Sequence, residues 1–237
     1  MRATLVLVAL GLALAVSVTA SAFSQRRGRG PGLNGFPTGL NAPSWDRAAR
    51  FDDFDGTFQF CRLQFRNDAR GDGAGWSVDW PRADQNLSIR LSELTRTPVS
   101  FSRDDDPNSL LLNATAPELS HCPFVMMTEP GGAYFDDQEA AALRNYMLKG
   151  GFLWADDFWG NYAWEFWEGQ VRKIFPSGQY PIYDVPLSHP LFHQMMTVER
   201  IPQIPSIGVW EGRRVTSERG ADSAVPQVRA INDERGR

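Results

Sequence analysis

Apolar residues recur along this chain at two spacings, and the spacing switches several times. Residues 57–65 (TFQFCRLQF) set Phe58, Phe60, Leu63 and Phe65 in an aromatic-rich run that predicts a strand. A Gly/Asp-rich loop over 67–75 follows, ending in Trp76-Ser77-Val78-Asp79-Trp80-Pro81. Leu87, Leu91 and Leu94 then fall at helical spacing and predict a helix over 82–96. Residues 98–102 (PVSFS) predict a short strand, whereas 104–120 fits neither period.

The second half is plainer. Residues 123–128 (PFVMMT) form a continuous apolar run, as in a strand covered on both faces, and Glu129-Pro130-Gly131-Gly132 makes a turn. The clearest helix spans 136–149. Asp136 can cap it with Glu139 three residues on, Ala140, Leu143 and Met147 keep the helical spacing, and Gly150-Gly151 stops it. Residues 152–156 (FLWAD) return to strand, and 162–175 predict an aromatic-rich helix. Alternating strands and helices with short joints imply an α/β fold. The expected form is a three-layer sandwich around a mainly parallel, flavodoxin-like sheet, with PFVMMT and FLWAD as adjacent central strands. Residues 226–231 (PQVRAI) read as one more strand with no helix after it. Either it lies at an edge, or the chain is truncated at its C-terminus.

The first residues break this pattern. Met1 and Arg2 open with positive charge, 5–18 are almost wholly apolar, and Ala20-Ser21-Ala22 offers small residues for cleavage. That is the layout of a signal peptide over 1–22, so the expected destination is periplasmic or extracellular. No later stretch is long enough for a transmembrane span. Residues 23–50 are rich in Gly, Pro and Arg and read as a flexible linker. Residues 51–237 are sufficient for a single α/β domain, and no internal repeat is found.

Charge narrows the partners. The chain carries 24 Lys+Arg against 28 Asp+Glu. Cleavage after Ala22 would remove Arg2 and leave a net charge near −5, which gives no general attraction for nucleic acid. Arg26, Arg27 and Arg29 are a local exception, read as a solvated tail. Cys61 and Cys122 lie in or beside apolar runs. They could pair in an oxidising compartment, but packing as free small hydrophobes is the favoured reading.

Candidate chemistry gathers at the carboxyl ends of the expected strands, where open parallel sheets bind ligands. Trp76 and Asp79 follow the first strand, Glu129 follows PFVMMT, and Asp156, Asp157 and Trp159 follow FLWAD, with His189 expected nearby. The arrangement suits a sugar hydroxyl array or a cation more than a phosphate. Because neighbours on an extended chain point to opposite sides, at most one of Asp156 and Asp157 should face the crevice. The favoured reading has one of them capping the helix that follows. Pro190 between His189 and His193 argues for a polar turn over a metal pair. No nucleophile elbow, Cys-x-x-Cys pair or phosphate loop is present, and no metal or cofactor is expected.

Several of these segments resemble a bacterial family catalogued as domain of unknown function 4159. They are Phe58-Gln59-Phe60, Gly75 through Pro81, Asp84-Gln85-Asn86, residues 124–131, Gly150-Gly151-Phe152 through Gly160, and Leu187 through His193. A more distant similarity is to the ThuA-like trehalose-utilisation group. The resemblance implies a flavodoxin-like or glutamine-amidotransferase-like fold in exported or membrane-associated proteins, and brings no catalytic residues with it. Members of the family continue past the strand matching 228–231 into a further turn and helix, which this chain lacks. Two functions follow as expectations. The leading one is a non-catalytic binding or scaffold domain of the cell envelope, meeting an envelope protein or a carbohydrate. The rival is a carbohydrate-active or amidotransferase-like hydrolase using Asp156 or Asp157, Glu129 and His189.

Overall fold

Residues 48–232 are described by the computed structural model. The expected leader and nearly all of the expected linker lie outside the described residues. In chain order the elements are β1 (Phe60–Gln64), β2 (Arg66–Asn67), α1 (Arg82–Leu94), β3 (Ser109–Asn113), β4 (Phe124–Thr128), β5 (Ala133–Tyr134), α2 (Asp137–Leu148), β6 (Phe152–Asp156), α3 (Gly160–Ile174), β7 (Tyr183–Asp184), α4 (Ile207–Arg213) and β8 (Arg229–Ala230).

Four strands, in the order β3-β1-β4-β6, form an all-parallel sheet. By chain succession that is second-first-third-fourth, the flavodoxin-type order, so connections diverge between β1 and β4. Alternation along the strands divides the sheet into two faces. Cys61, Leu63, Val125 and Met127 face the core that Ala140 and Leu143 of α2 and Trp167 and Ile174 of α3 complete. Phe60, Arg62 and Gln64 face the other way, toward α1, where Arg62 meets Asp84. The three-layer α/β sandwich expected from the sequence is therefore present.

Helix α2 starts as its sequence predicts. Asp136 accepts from the Glu139 N–H and the Glu139 carboxylate accepts from the Asp136 N–H, a reciprocal capping box.

Other expectations need correction. FLWAD pairs with PFVMMT in parallel but forms the sheet's edge, not its centre; nothing pairs with its outer side among the described strands. Phe152 and Trp154, on the Arg62 side of this edge strand, are 52% and 40% exposed. The leucine stripe of α1 is not its buried face: Leu87 and Leu94 are exposed, while Asp84 and Ser88 are buried, because α1 docks on the Arg62 guanidinium. The ambiguous stretch 104–120 contains β3, and 98–102 contributes only isolated bridges at Val99 and Phe101. The expected last strand shrinks to β8 and pairs antiparallel with β7, away from the main sheet. Cys61 and Cys122 are not free. They form a disulfide with Cα atoms 6.2 Å apart, since Cys122 sits just before β4, beside β1.

Candidate functional site

The β1–β4 divergence opens a crevice at the carboxyl end of the sheet, and two loops close over it. The loop after β1 carries Gly71-Asp72-Gly73; the loop after β4 carries Pro130-Gly131-Gly132. Asp68 N–H donates to the Gly132 carbonyl at 2.7 Å, and Asp72 N–H to the Gly131 carbonyl at 3.0 Å. A Cβ on Gly71 would stand 2.3 Å from the Gly132 Cα, and one on Gly131 would stand 2.1 Å from the Asp72 oxygen. The glycines thus serve backbone-to-backbone packing. With the end of β1 covered in this way, the remaining part of the edge lies beyond β4 and β6.

Carboxylates line that part. Glu129 stands immediately after β4 in left-handed conformation (φ 47°), and its Oε2 accepts from the Ala74 N–H. Burial pushes its carboxyl up to about 7 against that hydrogen bond, and the negative charges of Asp157, Asp79 and Glu218 push the same way. Burial likewise raises Asp156 to about 6. The Trp154 indole and the charge of Arg62 oppose the shift, while Asp157 and Asp79 reinforce it. Asp157 is raised too, by burial first and then by Asp79 and Glu218, against the Trp159 N–H. Each of these indoles serves the acid two residues away: Trp154 Nε1 donates to Asp156 Oδ2 at 3.0 Å, and Trp159 Nε1 to Asp157 Oδ1 at 3.2 Å.

The backbone explains how adjacent acids share one edge. Asp156 ends β6, but Asp157 has φ 56°, so the chain turns there and the alternation of an extended strand no longer separates the pair. Asp79, in the loop after β1, also has positive φ, at 58°. Its position follows from Arg62, whose Nη1 donates to the Trp76 and Val78 carbonyls at 3.0 and 3.3 Å and ties the loop to β1.

A family model described as a domain of unknown function, DUF4159, matches residues 59–237. The chain belongs to that family. No curated protein sequence matches it.

In this DUF4159 chain, the seven residues singled out from the sequence divide. Asp79, Glu129, Asp156 and Asp157 interact through their charges, and Trp159 touches Asp157. Trp76 packs against the core and stacks edge-on against Trp80 at 5.9 Å, so its ring is part of the packing beneath the loop. His189 is exposed and caps its own turn, its Nδ1 accepting from the Leu191 N–H at 3.2 Å; the His193 ring bonds the Leu187 carbonyl. The cap expected of Asp156 or Asp157 comes instead from Asp222, which accepts from the Asn161 N–H at 2.8 Å at the start of α3. Arg219 meanwhile grips Asp72 through Nη2 at 2.7 Å. These two contacts fold 217–223 over the edge and bring in Glu218, which sequence reasoning missed. No local signal marks it, because the contacts that hold its segment, Asp222 to Asn161 and Arg219 to Asp72, span 61 and 147 residues of sequence.

Proposed function

We propose that this chain is an exported, non-catalytic binding domain of the bacterial cell envelope, and that its ligand meets the acidic edge beyond β4 and β6. The observation that carries this reading is the electrostatic state of that edge. Glu129 and Asp156 are raised together, to about 7 and about 6, by burial and shared negative neighbours. Burial and like charge hold Glu129, Asp156 and Asp157 above the ordinary carboxylate range, and His189, which a hydrolase would use with them, stands exposed and caps its own turn. Export is supported by the leader layout of residues 1–22, and the Cys61–Cys122 disulfide suits an oxidising compartment.

The rival hydrolase rests on the same raised carboxyls, which are the usual mark of general acids. N-terminal sequencing tests export, and retention against turnover separates the two readings. N-terminal sequencing of the protein recovered from its own envelope fraction should begin at Phe23; a chain retained in the cytoplasm with Met1 intact refutes export. The mature chain, immobilised in that fraction, should retain a defined partner or glycan. Asp157→Ala and Trp159→Ala should release it with an unchanged melting temperature. Turnover of a glycoside or amide that disappears in Glu129→Gln would replace binding by catalysis.

A further inference from the structure

The segment from Gln203 to Ser223 has no core of its own. Ser223 is its only buried residue, α4 within it buries no side chain, and Ile204, Ile207 and Trp210 stand exposed. Its parts are nonetheless tied to one another. Ser206 N–H donates to the Glu218 carboxylate, Gln203 Nε2 to the Ser223 carbonyl at 2.7 Å, and Arg219 N–H to Ser223 Oγ at 3.0 Å. Local polar contacts therefore give the segment its shape, and burial does not anchor it.

What anchors it are two polar contacts at the acidic edge. Arg219 Nε and Nη2 donate to the Asp72 carboxylate at 3.0 and 2.7 Å. Asp222 accepts from the Asn161 N–H at 2.8 Å and from the Asn161 side-chain amide. Among the described residues, no other hydrogen bond or ion pair joins 203–223 to the sheet or its helices. The two anchors flank the edge. Asp72 belongs to the loop after β1 and rests on Gly131, just past β4, whereas Asn161 opens α3, just past Asp157. Residues 217–223 span them, and Glu218 lies close enough for its charge to act on Glu129 and Asp157.

These anchors are weak by construction. The Arg219 and Asp72 side chains are 45% and 30% exposed, and an ion pair that meets water contributes little and weakens with salt. Closing also sets the negative Glu218 beside two other acids. A segment without buried apolar contacts is among the first parts of a fold to open.

We infer that residues 203–223 form a flap over the acidic edge, latched by Arg219 on Asp72, that swings away to admit a ligand. The inference rests on that edge being the binding surface, and it adds how access to the edge is controlled.

The test is carboxyl footprinting of the mature chain (residues 23–237) with a water-soluble carbodiimide and glycine ethyl ester, read by peptide mass spectrometry. Labelling is followed at Glu129 and Asp157, with Asp137, exposed at the start of α2, as the reference. Arg219→Ala and Asp72→Asn should each speed labelling of Glu129 and Asp157 about fivefold, the order expected for a partly exposed ion pair, and leave Asp137 unchanged. Raising sodium chloride from about 0.05 to about 0.5 M should act in the same direction on the unaltered chain and far less on Arg219→Ala. Both variants should melt with the unaltered chain, because the flap carries no core. Labelling of Glu129 and Asp157 that neither the variants nor salt changes overturns the inference. A melting temperature lowered by several degrees in either variant overturns it too, since the contact would then belong to the folded body and not to a latch. The envelope-fraction experiment judges the binding reading separately: a flap that opens over an edge retaining no partner sinks that reading and leaves the flap standing.

Discussion

Arg62 and Asp84 form an ion pair in which both side chains are 0% exposed, with the guanidinium Nε 2.9 and 3.1 Å from the two carboxylate oxygens. The pair joins β1 to α1, and the remaining Arg62 donors hold the Trp76 and Val78 carbonyls. Removing one partner strands a charge in the interior. Asp84→Ala should therefore lower unfolding stability by about 3–5 kcal/mol in urea denaturation. Arg62→Met combined with Asp84→Leu should recover most of that loss. Equal losses in the single and double variants would show that the carbonyl contacts, not the ion pair, do the holding.

Stability should fall as pH rises through the acidic range. Glu129 moves from 4.5 to about 7 on folding, and Asp156 from 3.8 to about 6. Between those limits the folded chain binds more protons than the unfolded chain, so raising pH favours unfolding. The decline should span roughly pH 4 to 7 and then level off, as read from thermal melts across that range. Below it the sense reverses. Asp68, which Arg70 holds down to about 2, loses its folded-state advantage as pH falls under 3.8. Glu129→Gln should flatten the upper part of the decline and melt higher than the unaltered chain at pH 8.

The Cys61–Cys122 bridge joins residues 61 apart in sequence, from β1 to the start of β4. In the chain-entropy account, opening a loop of that length costs about 4 kcal/mol. Cys61→Ser with Cys122→Ser, or full reduction under denaturing conditions, should lower unfolding stability by that order. A change below about 1 kcal/mol would mean that β1–β4 pairing already restrains the unfolded chain.

Two glycines should respond oppositely to alanine. At Gly131 a methyl would meet the Asp72 oxygen at 2.1 Å and the Ala163 Cβ at 2.9 Å, and neither backbone nor helix can give way cheaply. Gly131→Ala should cost about 1–3 kcal/mol and loosen the 67–75 loop from Glu129. Gly169 lies inside α3 with open space around its Cα. Gly169→Ala should stabilise by up to about 1 kcal/mol. Melting temperatures of the two variants provide the comparison.

What could be read from the sequence was what neighbours in sequence decide. Asp136 and Glu139 cap α2 across one helical turn, and the PFVMMT run gives Val125 and Met127 to the core while Phe124 and Met126 are half-buried on the other face. Those features survive any arrangement of the rest of the chain, so strand, helix and parallel order followed from them, and parallel order puts Glu129, Asp156 and Asp157 at one end of the sheet. Tertiary structure decided what depends on distant partners. FLWAD looks like a central strand by composition, yet it lies at the edge because no other strand reaches its outer side. The Leu87/Leu94 stripe looks like a buried face, yet α1 turns Asp84 inward because a charged Arg62 waits on β1. Asp156 and Asp157 share an edge only through a left-handed turn that aspartate does not announce. Glu218 reaches them only because Arg219 and Asp222 find partners more than sixty residues away. Local propensity acts over a few residues, and desolvation, charge pairing and close packing act across space, so the fold's elements were legible in the chain and the make-up of its acidic edge was not.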